Sequence, residues 1–206
     1  METELRIKNK KLLGFAIKSV DIPDGVTHIW DSAFSGCTYL KRVTIPDSVT
    51  SIRKHAFYRC ESLAQLVLGK NVVSIGRRAF GYCRALRSLV VPDRVAMIET
   101  GAFEYCESIT SISIPGSVAS IGNWAFLGCT SLADIVLPEG VLRLGDCVFS
   151  YCTALKSVIL PDSISSIGLC AFGSCANLQY IEIPGHFTDE QVKSWNLPRS
   201  CKVIRR

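Results

Sequence analysis

Several things that catalysts and membrane proteins need are scarce in this sequence. Three histidines, His28, His55 and His186, occur in 206 residues. Acid–base and nucleophilic catalysis require a base beside its nucleophile, yet these three lie in different units of the repeat described below and at different phases of it. No Gly-rich phosphate loop follows a strand, and the acids are scattered singly. No stretch approaches the roughly 18 apolar residues of a membrane span. The opening Met1-Glu2-Thr3-Glu4-Leu5-Arg6 lacks the basic-then-apolar order of a secretory leader. The expectation is a non-enzymatic, cofactor-free chain without a membrane span. It is read as cytoplasmic as given, or as secreted or cell-surface if an export signal has been removed.

Charge excludes less. The net charge of +5 is mild but uneven. Residues 1–94 carry sixteen Lys/Arg against eight Asp/Glu, and residues 95–206 carry seven against ten. Such a gradient steers acidic partners toward the N-terminal half, or reflects drift on solvated faces. Phosphate binding would need the basic residues on one face. Arg53, Lys54, Arg59, Lys70, Arg77, Arg78, Arg84, Arg87 and Arg94 instead fall in several columns of the repeat, so the charge wraps around the chain. Nucleic acid is not the expected partner.

What is present is a beat of 23 residues. Ala-Phe or a close variant recurs at Phe34, Phe57, Phe80, Phe103, Phe126, Phe149 and Phe172. A cysteine follows three positions after each, at Cys37, Cys60, Cys83, Cys106, Cys129, Cys152 and Cys175. Prolines keep the same time at Pro23, Pro46, Pro92, Pro115, Pro138, Pro161 and Pro184, with Gly69 in the one gap. A fixed period over seven units without insertion means stacked repeats.

Within one unit, Leu63-x-x-Leu66-x-Leu68 ends in strand alternation. Pro46 and its equivalents then stop the ladder for want of an N–H. Val49-x-x-Ile52 reads as a second short extended piece, and Ala-Phe-x-x-Cys as one helical or 3₁₀ turn. A unit this small cannot bury its own apolar face, so neighbours must stack at about 4.8 Å per strand around one continuous core. The expected fold is a right-handed curved solenoid. Its parallel sheet should line the concave side, with short strands and turns on the convex side.

Residues 1–206 are expected to form one domain: an N-terminal cap over 1–22, seven repeats over 23–184 and a C-terminal cap over 185–206. Leu5-x-Ile7 and Leu12-Leu13-x-Phe15 around Lys8–Lys11 suggest a hairpin, and Ile17, Val20 and Ile22 a leading strand. Thr188-Asp189-Glu190 supplies a capping oxygen and acids for a short helix. Pro198 stops that helix before a final strand near Cys201–Ile204.

The unit Leu-x-x-Leu-x-Leu-Pro-x-x-Val-x-x-Ile-x-x-x-Ala-Phe-x-x-Cys, clear in Leu63 to Cys83 and in Leu132 to Cys152, resembles the BspA-type leucine-rich repeat family over roughly residues 12–184. The resemblance implies a leucine-rich-repeat solenoid of bacterial or protozoan type acting in protein interaction. Some members are surface adhesins for host matrix proteins or other cells, and no family catalytic residue exists to carry over.

Phasing by Leu66 and Leu68 turns two strand columns outward. The first is Arg42, Gln65, Ser88, Ser111, Asp134, Ser157 and Tyr180. The second is Thr44, Val67, Val90, Ser113, Val136, Ile159 and Glu182. The second carries an apolar stripe, which strand propensity explains about as well as binding does. If it serves binding, an extended or flat protein surface docks along the concave face, to a monomer or weak oligomer.

The seven columnar cysteines read as packed thiols rather than zinc ligands, because a spacing of 23 fits no C-x₂₋₄-C pair. Cys147 and Cys170, one position before the Val-Phe and Ala-Phe pairs, stack on adjacent units in an otherwise variable column that implies exposure. They read either as two separate surface thiols or as a redox-sensitive cross-coil pair.

Overall fold

The computed structural model describes residues 3–5 and 17–206. The hairpin expected around Lys8–Lys11 lies outside the described residues. The chain winds into stacked coils whose strands form two rows, paired in parallel. One row holds three- and four-residue strands: β2 (Ser19–Asp21), β4 (Arg42–Thr44), β6 (Gln65–Val67), β8 (Ser88–Val90), β10 (Ser111–Ser113), β12 (Asp134–Val136), β14 (Ser157–Ile159), β16 (Tyr180–Ile183) and β17 (Lys202–Arg205). The other holds β1 (Thr3–Leu5), β3 (Val26–Ile29), β5 (Ser51–Ile52), β7 (Ser74–Ile75), β9 (Met97–Ile98), β11 (Ser120–Ile121), β13 (Arg143–Leu144) and β15 (Ser166–Ile167). Partners are 23 residues apart within the repeats, as in Gln65 opposite Arg42 and Ser74 opposite Ser51. The fold is a parallel β-solenoid of about eight turns.

The coils turn a corner where proline, or Gly69 in one coil, ends the first row. Ile45, just before Pro46, still donates its N–H to Val67 O at 2.9 Å in the next coil, and Val49 N–H returns to Pro46 O at 3.1 Å. The missing proline N–H therefore falls where the chain leaves the sheet. The Ala-Phe-x-x-Cys segment makes the expected i→i−3 bonds: Ala56 N–H to Arg53 O, Tyr58 to His55 O and Cys60 to Phe57 O. These alternate with bonds to the next coil: His55 N–H to Arg77 O, Phe57 to Ala79 O and Arg59 to Gly81 O. The turn side is thus a third hydrogen-bonded row.

The alternation rests on two left-handed residues per coil. Ser32, His55, Arg78, Gly101, Trp124, Cys147 and Cys170 have φ between 51° and 64°. Gly36, Arg59, Tyr82, Tyr105, Gly128, Tyr151 and Ser174 have φ between 55° and 78°.

Like residues share buried columns. The seven Phe rings stack face to face, with centroids from 4.9 Å (Phe34–Phe57) to 5.9 Å (Phe149–Phe172) and planes within 10°. The cysteine column is buried beside them. At the C-terminal end, α1 (Asp189–Ser194) begins with a capping box in which Thr188 and Gln191 bond reciprocally. Trp195 closes the helix, is 1% exposed and meets Phe187 edge-on at 5.0 Å. It also accepts the Phe172 N–H on its carbonyl, so this segment covers the last coil. β17 then pairs with β16 as the terminal strand.

Candidate functional site

Alternation along the first row turns both outward columns to solvent, as the phasing requires. Arg42, Gln65, Ser88, Ser111 and Asp134 are exposed, while Ser157 and Tyr180 are half-buried. In the second column Val67, Val90 and Val136 are 57%, 70% and 64% exposed. Ser113 is exposed too, whereas Thr44, Ile159 and Glu182 are half-buried. The apolar stripe therefore comprises three valines, with Ile159 withdrawn at its end. Ser157 Oγ donates to Asp134 at 2.6 Å across adjacent strands.

The row carries a feature that column phasing does not show: its ladder lapses between β6 and β8 and again between β10 and β12. At the preceding seam, Ile45 N–H bonds Val67 O and Gln65 N–H bonds Lys41 O. Neither bond has a counterpart between β6 and β8. Of the inward side chains at these seams, Leu66 and Ile112 are partly buried, while Leu89 and Ile135 across from them are buried. The opposite row runs unbroken from β1 to β15.

At the β6–β8 seam a groove of about 380 Å³ is lined by Leu66, Val67, Leu68, Val90, Val91 and Pro92 between Lys70 and Asp93. A second hollow, of about 320 Å³, is lined by Lys41, Ala64, Gln65 and Arg87. The most exposed part of the valine stripe therefore borders an apolar cleft with Lys70 and Asp93 at its edge. Lys70 is held by Asp47 at 3.1 Å.

The turn side has its own chemistry. Tyr58, Tyr82 and Tyr105 form a chain of ring contacts at 5.5 and 4.8 Å. The Arg59 guanidinium lies 5.7 Å from both Tyr58 and Tyr82, and that of Arg53 lies 3.9 Å over Trp30. Arg84 pairs with Glu107 at 3.1 Å. Much of the basic character of the N-terminal half is thus engaged within the molecule.

Beneath this surface Glu104, 3% exposed, meets Arg78 Nε at 2.8 Å. Burial raises its pKa above the ordinary carboxylate value, and Arg78 opposes the rise. Two glycines make its space. A Cβ at Gly101 would come within 2.8 Å of its Oε2, and one at Gly81 within 3.2 Å of its Cγ. Sequence reading missed this pair, although an acid in a column otherwise holding Ser, Tyr, Gly and Leu was the available signal.

His28, His55 and His186 stay apart, in different coils. Burial lowers the His55 pKa, and Lys54, Arg78 and Arg77 add to the effect. Among the described residues no group of three or more His, Cys, Asp and Glu is placed to hold a metal ion, and no helix is long and apolar enough to cross a membrane. Cys147 and Cys170 are half-buried. Their column is half-buried for most of its length rather than exposed as its variability suggested, with Trp124 exposed and Gly101 buried.

A family model described as the BspA type leucine rich repeat region, in six copies, matches residues 6–133 and 125–205. No curated protein matches the chain. Among solved structures, a leucine rich repeat protein of T. pallidum is 30% identical, with a TM-score of 0.73 over 92% of this chain and 87% of that one. A leucine rich cell surface protein of Faecalibacterium prausnitzii is 31% identical, with a TM-score of 0.56 over 91% of this chain and 59% of that one. A leucine-rich repeat protein of Bacteroides ovatus, 24% identical with a TM-score of 0.51 over 92% of this chain and 61% of that one, shares the fold. The repeat, the solenoid and the family match agree: the chain belongs to the BspA-type leucine-rich repeat family.

Proposed function

We propose that the protein is a non-enzymatic interaction scaffold that holds a protein partner against its three-residue strand row. The observation that carries this reading is the seam between β6 and β8. There Val67 and Val90, both more than half exposed, flank an apolar groove at a lapse in the ladder. Exposed apolar surface beside polar residues marks contact sites, and interfaces concentrate energy where a side chain enters such a pocket. Lys41 and Arg87 line the second hollow with Gln65, and they favour a partner that carries acids where it passes that end of the row. The partner lies along the row as an extended or flat surface, with Val136 as a further contact.

Display at a cell surface is supported by the 31% identity to the Faecalibacterium prausnitzii protein, whose name places that protein there. The chain spans 59% of that relative, so the rest of it has no counterpart here.

The test is a triple substitution, Val67→Ser, Val90→Ser and Val136→Ser, in the full chain. Circular dichroism and the thermal midpoint should stay close to wild type, because these side chains face solvent. Affinity capture from cells of the source organism should lose the partner bands that wild type retains. An unchanged capture profile from a folded triple variant refutes the reading.

A further inference from the structure

Two cysteines stand apart from the other eight. Seven form the buried column, where burial raises the thiol pKa from Cys60 onward, to about 12 for Cys175 at the end. Cys201, in the C-terminal segment, is likewise pushed up to about 11 by burial. Cys147 and Cys170 instead sit on the turn side, half-buried and unpaired. Their positions are equivalent in consecutive coils. The Cys147 N–H bonds Leu169 O at 2.9 Å, which sets Cys147 alongside Cys170 on one rung. Their φ angles, 51° and 53°, match, so their Cα–Cβ bonds leave the backbone in the same direction. Rungs about 4.8 Å apart place the two Cα atoms within the roughly 4.4–6.8 Å span that a disulfide bridges.

Both residues also line one hollow of about 350 Å³, whose wall includes Tyr105, Trp124, Leu127 and Tyr151. That is the low end of the range of small-molecule pockets. A reagent of that size can therefore reach both sulfurs while the columnar thiols stay covered.

We propose that Cys147 and Cys170 are a dithiol–disulfide couple that exchanges with low-molecular-weight disulfides of the glutathione class in this hollow. One cysteine thiolate attacks a sulfur of the small disulfide. The S–S bond breaks, and one small thiol leaves with the electron pair and takes up a proton. The mixed disulfide occupies the hollow beside Trp124 and Tyr151. The second cysteine, as thiolate, attacks the protein-side sulfur, forms the Cys147–Cys170 bond and expels the second small thiol. Two electrons pass from the protein dithiol to the small disulfide, and excess small thiol reverses both steps. The bridge ties two coils together on the turn side, away from the strand row, so partner capture and exchange are separable.

The experiment treats the full chain with oxidised glutathione at neutral pH, quenches with acid, alkylates in denaturant and digests without reduction. Mass spectrometry should find Cys147 linked to Cys170, with fragment ions separating them from Cys152 and Cys175, and the columnar cysteines alkylated. Cys147→Ser should instead trap glutathione on Cys170, and Cys170→Ser should trap it on Cys147. Serine is tolerated at this position, since Ser32 holds the same left-handed place in an earlier coil with φ 56°. Reduced glutathione in excess should restore both thiols. Recovery of both cysteines alkylated after oxidation, stable glutathione on both without a bridge, or a bridge from either to Cys201 would overturn the proposal.

Discussion

A cysteine occupies the same buried position in seven successive coils, and the hydrogen bonds show how a thiol suits it. Each thiol from Cys60 onward reaches the carbonyl of the phenylalanine 26 residues earlier, at 3.1 to 3.5 Å. That same carbonyl already accepts the N–H of the cysteine in its own coil, as Phe57 O does from Cys60. The S–H is therefore a weak second donor to an oxygen with a free lone pair, on a side chain small enough to sit beside the Phe stack. Burial drives the pKa of these thiols well above the ordinary value, which keeps the donor proton in place. Glu104 is another residue whose protonation burial controls. Its folded pKa lies above its unfolded one, so the folded state holds the proton more tightly. Its contribution to stability is then full at low pH, falls as pH rises from the ordinary carboxylate value through the folded pKa, and stays low above that. Comparison with Glu104→Gln removes the background of other carboxylates. The urea midpoint of wild type should fall relative to the variant as pH rises above the ordinary carboxylate value. A wild type that gains on the variant as pH rises would show that the Arg78 pair outweighs the desolvation.

Strand and turn elements differ in how openly the sequence declares them. The strand rows were legible because side chains there alternate between core and solvent, so apolar residues recur in phase. Phe and Cys were legible because one buried environment repeats in every coil. The two left-handed columns were not, because the shared constraint is on the backbone. Ser32, His55, Arg78, Gly101, Trp124, Cys147 and Cys170 have no common side-chain chemistry, and only the occasional glycine, at Gly101, Gly36 and Gly128, hinted at positive φ. The seam at β6 was equally hidden, since Leu66 and Leu68 look like any other inward pair and only Gly69 in place of proline marks the coil. A Cβ at Gly69 would lie 2.3 Å from Pro46 O, so this corner packs closer to the previous coil than a side chain allows. The turn element carries a direct prediction. Ser174 has φ 60° and is exposed, at the place held by Gly36 and Gly128 in other coils. A left-handed conformation costs a non-glycine residue roughly 1–2 kcal/mol, part of which glycine's greater unfolded entropy cancels. Ser174→Gly should therefore raise the unfolding free energy by up to about 1 kcal/mol. A loss of stability in that variant would show that the strained backbone is not where the cost lies.

Across the whole molecule, stability is a sum of coil-to-coil contacts, closed at the C-terminal end by α1, Trp195 and β17. The proposed partner surface on the strand row and the proposed thiol couple on the turn side lie on different faces of the same stack. In such a stack, equivalent residues touch only in adjacent coils. Double-mutant cycles measure it most directly. Phe80 and Phe103 stack at 5.4 Å, whereas Phe57 and Phe126 are separated by two intervening rings. With Phe→Leu substitutions in urea unfolding, the first pair should couple by on the order of 1 kcal/mol, and the second should add to within about 0.5 kcal/mol. Additivity in the Phe80–Phe103 cycle equal to that of the distant pair would contradict the stacked-column account.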